Sequence, residues 1–171
     1  MNVEEAIKTA IEFETRVHRT YEQAAKKAAD PTGRRVFEVL AKEEQGHLGY
    51  LKDRLEQWQK TGHLSGQRLG TAIPSKERIQ EGVKSLSKQV RKKTGEGGVE
   101  LDFLRKALEA EKETSNFYSR MASELPEEGR QLFARFVEIE QGHVAIVQAE
   151  IDAVSQSGHW FGMPEFSLEA E

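Results

Sequence analysis

The tetrapeptide Glu44-Gln45-Gly46-His47 returns as Glu140-Gln141-Gly142-His143, and this repetition limits the fold more than any other feature of the chain. A Glu and a His three residues apart on a helix share one face, about 5 to 6 Å apart at Cβ, so both reach a single ion. One copy says little: with 25 Glu among 171 residues, any His has roughly one chance in seven of a Glu at that offset. Two copies with identical filling belong to something longer. At an offset of 97, Ala10, Glu12, Glu14, Tyr21 and Ala25 fall on Ala107, Glu109, Glu111, Tyr118 and Ala122. At an offset of 96, Gly33, Arg34, Phe37, Glu44, Gln45, Gly46 and His47 fall on Gly129, Arg130, Phe133, Glu140, Gln141, Gly142 and His143. The offset changes by one in the turns between helices, where a one-residue difference is tolerated.

Hydrophobic periodicity turns each half into a helical hairpin. Val3, Ile7, Ala10, Ile11, Val17, Tyr21, Ala24, Ala25 and Ala28 predict a first helix over 3–29. Asp30-Pro31 stops it and starts the next, with Asp30 as N-cap and Pro31 at the first helical position. The second helix carries Val36, Phe37, Leu40, Glu44, His47, Leu48, Leu51, Leu55 and Trp58 on one stripe and ends at Thr61-Gly62. A glycine-rich connector over 62–98 follows, with a shorter helix over 76–92 that aligns Ile79, Val83, Leu86 and Val90. A second hairpin over 99–157 then places Leu101, Leu104, Leu108, Tyr118, Ala122 and Leu125 on its first helix. After Pro126 its second helix carries Leu132, Phe133, Phe136, Val137, Glu140, His143, Val144, Val147, Ile151 and Val154. The expected fold is all-α: one domain over 1–157, an antiparallel four-helix bundle of two repeated hairpins (3–61 and 99–157) with one long crossover. An irregular aromatic tail occupies 158–171.

Glu14 and Glu111 interrupt the apolar stripes of the two first helices, where a lone carboxylate is expensive. The midpoint of Glu14 and Glu44 is position 29, and that of Glu111 and Glu140 lies between 125 and 126, so both coincide with the predicted turns. Each Glu is therefore level with its partner motif, and the bundle brings Glu14, Glu44, His47, Glu111, Glu140 and His143 to one layer. Four carboxylates carry −4 and two divalent cations +4, so such a layer is close to neutral when loaded. Tyr21 and Tyr118 lie seven residues past Glu14 and Glu111, about 10 Å along the axis, with side chains leaning back toward that layer. They are read as hydroxyl donors to a ligand carboxylate. Gly46 and Gly142 each cost about 1 kcal/mol in a helix interior, which predicts either close approach of another backbone or an inserted water. Glu12 and Glu109 repeat as well, but point away from the core face. His18, one turn past Glu14, has Ser115 as its counterpart and is read as a satisfied core or supporting histidine; His63 and His159 lie in loops.

Composition closes several routes. There is no cysteine, which excludes disulfides, zinc ribbons, Fe–S clusters and thiol catalysis. A net charge of −4 offers no basic footprint for nucleic acid. No window approaches the 18 or so consecutive apolar residues of a membrane span, and Met1-Asn2-Val3-Glu4-Glu5 does not begin a signal peptide, so a cytoplasmic location is expected.

The pattern Glu14...Glu44-x-x-His47 with Glu111...Glu140-x-x-His143, and Tyr seven after the first Glu of each half, resembles the ferritin-like di-iron carboxylate superfamily. Ala6-Ile7...Glu14...Tyr21 and Ala107-Leu108...Glu111...Phe117-Tyr118 are most similar to its rubrerythrin branch, over residues 3 to about 155. The resemblance implies bridging carboxylates at Glu44 and Glu140, terminal ones at Glu14 and Glu111, and nitrogen ligands at His47 and His143. Two departures stand out: this chain has no cysteine for a rubredoxin-type iron, and it has Thr114 where rubrerythrins carry an additional carboxylate. Oxygen-rich coordination with one imidazole per ion suits two iron ions, with manganese or a mixed pair compatible with the same donors. The expected activity is reduction of hydrogen peroxide or dioxygen at a non-haem di-iron site, with electrons from a separate redox protein. The alternatives are iron oxidation for storage or detoxification, and a metal that is purely structural. The resemblance also admits a homodimer, with Trp160 and Phe161 available to dock on a partner subunit.

Overall fold

The structure is a computed structural model that describes residues 1–87 and 98–161. Among these residues it is all-helical: α1 (Val3–Lys27), α2 (Pro31–Thr61), α3 (Lys76–Ser87), α4 (Gly98–Glu124) and α5 (Glu127–Ser157). Local chemistry sets the ends. The Asn2 side chain accepts from the Glu5 N–H at 2.9 Å while the Glu5 carboxylate accepts from the Asn2 N–H at 2.9 Å, a reciprocal cap that opens α1. Asp30 caps α2 through the Gly33 N–H at 2.9 Å, with Pro31 behind it. Gly62 and Gly158 close α2 and α5 at φ 70° and 71°, a left-handed conformation that glycine adopts without a Cβ penalty. Helix α1 stops at Lys27, two residues before the predicted end, because Ala28 and Asp30 are both extended ahead of Pro31. The part of the predicted connector helix beyond Ser87, with Val90, lies outside the described residues, as does Phe166 of the tail.

Each hairpin packs on itself, α1 on α2 and α4 on α5, and the two join along α1 and α4. That contact is antiparallel. Tyr21 meets Glu111 and Tyr118 meets Glu14, so position numbers rise along one helix as they fall along the other. Glu100 of α4 reaches the first hairpin's turn, accepting from the Ala29 and Asp30 N–H groups at 2.8 and 3.1 Å. Helix α3 lies on α5, with Ile79 buried beneath it.

The connector takes a route that periodicity does not encode. Between α2 and α3 it runs along the groove between α2 and α5. The Tyr50 hydroxyl donates to the Gln67 carbonyl at 3.1 Å, and Arg68 pairs with Glu138 at 2.5 Å. Arg135 Nε donates to the Leu69 carbonyl at 2.8 Å, and Ile73 is buried. Gly142 marks the tightest point: a Cβ there would stand 2.7 Å from the Pro74 carbonyl oxygen. Close backbone approach is thus the reason for the glycine in the second motif. It is not the reason in the first, since Gly46 is exposed with nothing within 4 Å of a Cβ.

The tail differs from expectation as well. Trp160, just past α5, packs across onto α2 of the first hairpin, edge-on to Phe37 with ring centroids 5.2 Å apart and seated on Gly33, where a Cβ would come within 2.6 Å of the indole. The Phe161 N–H donates at 2.9 Å to Glu150, a fully buried carboxylate of α5. Packing the indole against Phe37 removes part of its apolar area from water within the chain, and Trp160 and Phe161 remain half-buried.

Candidate metal centre

Two apolar clusters fill the bundle, one toward each end. The first gathers Val17, Tyr21, Phe37, Leu40, Leu104, Ile146 and Val147; the second gathers Ile7, Ala10, Leu51, Phe117, Tyr118, Phe133 and Phe136. Between them lies one polar layer. Glu14, Glu44, Glu111, Glu140 and His143 are completely buried and His47 is 1% exposed. Helical spacing puts each Glu-x-x-His pair on the inner face, and antiparallel pairing brings the pairs level with Glu14 and Glu111.

The donors form two groups that share members. Glu14, Glu44, His47 and Glu140 offer atoms within 4.8 Å of one another, and so do Glu44, Glu111, Glu140 and His143. The shared residues are Glu44 and Glu140. Glu44 divides its oxygens between the groups, Oε2 at 3.1 Å from His47 Nδ1 and Oε1 at 2.7 Å from His143 Nδ1. His47 Nδ1 also lies 3.4 Å from Glu14 and 3.5 Å from Glu140, and His143 Nδ1 lies 3.4 Å from Glu111. The two imidazoles stack with centroids 5.1 Å apart.

These atoms are close without being hydrogen-bonded. Glu14 Oε2, Glu111 Oε2, both oxygens of Glu44 and of Glu140, and both ring nitrogens of His47 and His143 have no hydrogen-bond partner. Even at 2.7 Å, Glu44 Oε1 and His143 Nδ1 do not meet in hydrogen-bond geometry. A buried polar atom without a partner costs about 1–3 kcal/mol, more when charged, so an unsatisfied set of this size fits a cation at its centre.

The remaining carboxylate oxygens of Glu111 and Glu14 are held by phenols, and the pairing crosses the hairpins. The Tyr21 hydroxyl on α1 donates to Glu111 Oε1 on α4 at 2.5 Å; the Tyr118 hydroxyl on α4 donates to Glu14 Oε1 on α1. Burial and then the Glu111 charge push the Tyr21 phenol well above its ordinary value, and burial with the Glu14 charge does the same for Tyr118, so both remain donors.

The charges respond to one another. Burial works against the His47 imidazolium, yet the carboxylates of Glu44 and Glu14 outweigh it and raise His47 to about 10. His143 is raised well above its ordinary value, burial again being overcome, here by Glu44, Glu140 and Glu111. Burial and the Glu111 charge push Glu140 up, whereas for Glu14 the opposing effect of burial yields to His47 and leaves its carboxyl low. Protons thus act as the counter-charge where no metal is bound, and a metal must displace them.

Other expected residues fall where their helices put them. Glu12 and Glu109 are exposed. His18 is half-buried rather than in the core, lining a surface groove with Glu22, Lys26, Arg34 and Glu38, and belongs to neither donor group. His63 pairs with Glu128 at 3.2 Å. Thr114 is buried and donates to the Ala110 carbonyl at 2.8 Å.

Sequence reasoning missed Glu43, whose Oε1 lies 3.9 Å from His143 Nε2 and which forms a further group with His47 and His143. Its repeat counterpart is Ile139, so an argument from symmetry passes over it. The available signal was a carboxylate one residue before a ligand candidate, at the edge of the buried face.

Comparison with known proteins adds one family match: the model described as Rubrerythrin matches residues 1–55, that is α1 and most of α2 with Glu14, Glu44 and His47. No curated protein and no solved structure matches the chain.

Proposed function

We propose, from the premise that this chain is a rubrerythrin-like member of the ferritin-like di-iron carboxylate superfamily, that it is a non-haem di-iron oxidoreductase which reduces hydrogen peroxide or dioxygen with electrons from a separate redox protein. The observation that carries the reading is the layer of buried, unsatisfied carboxylate and imidazole atoms sorted into two groups that share Glu44 and Glu140. In this reading His47 and Glu14 would hold one ion and His143 and Glu111 the other, with Glu44 and Glu140 available to both. Bound iron would supply the reducing electrons and the Lewis acidity for peroxide or oxygen reduction.

The chain's own residues do the rest. Four carboxylates match the charge of two divalent cations, so the loaded layer is near neutral within an apolar interior. Tyr21 and Tyr118 fix Glu111 and Glu14 from the opposite hairpin, which holds the two helix pairs at a set separation. The apolar clusters on either side, with Leu40 and Ile146 in one and Phe136 in the other, limit the access of water to the layer. The location proposed is the cytoplasm; among the described residues no helix is long and apolar enough to cross a membrane.

The test joins binding to turnover. The parent chain is expected to bind about two irons, and its oxidised spectrum to bleach with reductant and return on adding peroxide or oxygen. A Glu44→Ala, Glu140→Ala double variant that binds as much iron as the parent would overturn the site. A large closed particle holding many irons per chain would move the assignment to iron storage.

A further inference from the structure

The two halves of the centre are copies in sequence, but their surroundings are unequal. Both imidazoles present Nδ1 to the carboxylates. What lies beyond the rings differs. His143 Nε2 faces Glu43 Oε1 at 3.9 Å, whereas the His47 ring meets Phe136 edge-on, with centroids 5.6 Å apart. Glu43 is itself held in place. The Thr71 hydroxyl donates to its Oε1, and the Ala72 N–H lies 3.2 and 3.3 Å from its two oxygens. These residues belong to the connector strand that seats on Gly142 one residue before His143, so strand, carboxylate and imidazole form one assembly. The equivalent position in the other half is Ile139, buried and apolar.

At 3.9 Å the Glu43–His143 contact is longer than a hydrogen bond, and its effect is that of a charge on a dipole. A carboxylate facing Nε2 favours the proton on that nitrogen and leaves the Nδ1 lone pair directed at the donor group. It also adds negative charge nearest to His143, although Glu43 lies within 4.8 Å of a His47 nitrogen as well. Carboxylates behind ligating histidines typically change metal affinity 10- to 100-fold.

We propose that Glu43, anchored by Thr71 and Ala72 and closer to His143 than to His47, is a positioning residue for His143 whose repeat counterpart is the apolar Ile139, so that the two metal positions are unequal and the one at His143 fills first. The inference rests on the di-metal reading above and extends it to the order of loading. It assigns a task to the connector: as well as joining two hairpins, residues 71–74 break the symmetry of the site they cross.

Anaerobic titration of the metal-free protein with cobalt(II), followed by its visible absorption, tests the order. The parent is expected to take up two ions in separable steps. His143→Ala should remove the tighter step and His47→Ala the weaker one. Glu43→Gln, which keeps the size of the side chain, should weaken the first step about 10- to 100-fold and bring the two together while still binding two ions. Thr71→Val, which leaves every charge in place, should move the first step in the same direction by less. Parallel thermal melts of the metal-free variants report whether each remains folded. If Glu43→Gln keeps the parent's spacing of steps, or if His47→Ala removes the tighter one, the inference is overturned and the di-metal assignment stands. A parent that binds no cobalt overturns both.

Discussion

Burial and charge contend at Glu14, His47, Glu140 and His143, and protons settle the outcome when metal is withheld. His47 is raised from 6.5 to about 10 by Glu44 and Glu14 against the effect of burial. A group whose folded value exceeds its unfolded value stabilises the fold fully below the unfolded value and loses that contribution as pH rises through the folded one. For His47 the window runs from about 6.5 to about 10, and the raised His143 and Glu140 act in the same direction. Glu14, held low, contributes above the ordinary carboxylate range and loses its contribution on acidification. The metal-free protein should therefore lose stability steadily between pH 6.5 and 10, seen as a falling urea midpoint. With iron bound the imidazoles are already deprotonated, and the decline over that window should largely disappear. A midpoint that stays level in metal-free protein would mean that the imidazoles carry no proton in the fold.

Helices and connectors explain why identical motifs have unequal surroundings. Gly46 and Gly142 occupy the same place in their repeats, but only Gly142 supports the connector. Gly142→Ala sets a Cβ 2.7 Å from a backbone oxygen, which has no flexible side chain to move aside, so Pro74 and its strand must shift. Overpacking of this kind costs about 1–3 kcal/mol, more than the roughly 1 kcal/mol that alanine gains over glycine in a helix. Gly46→Ala meets open space and should stabilise by up to about 1 kcal/mol. Opposite shifts in the denaturation midpoint are expected from these paired substitutions. Equal shifts would place the connector elsewhere.

Across the whole molecule, the site and the bundle stabilise each other. Each donor group takes members from both hairpins, so an ion bound there links the hairpins as well as satisfying buried charge. Binding to the folded state alone stabilises it by about 2.7 kcal/mol at a free metal concentration of 100 Kd. Iron(II) added without oxygen should accordingly raise the melting temperature, and a chelator should lower it again. An unchanged melting temperature in the presence of bound iron would show that the metal also binds the unfolded chain, or lies away from this layer.

The amino-acid sequence alone determined the hairpins, their turns at Asp30-Pro31 and Pro126, and the level at which six donors meet. Those features follow from helical period, capping and chain length, which act over a few residues and leave a regular signal. The tertiary structure decided what lies between elements. It set Tyr21 on Glu111 and Tyr118 on Glu14, drew the connector across Gly142, packed Trp160 on Phe37, and placed Glu43 closer to His143 than to His47. None of these contacts has a period. The connector, Trp160 and Glu43 contacts depend on which non-repeated side chain fills the space between packed helices, and the repeat, by pairing Glu43 with Ile139, concealed the difference between the two halves.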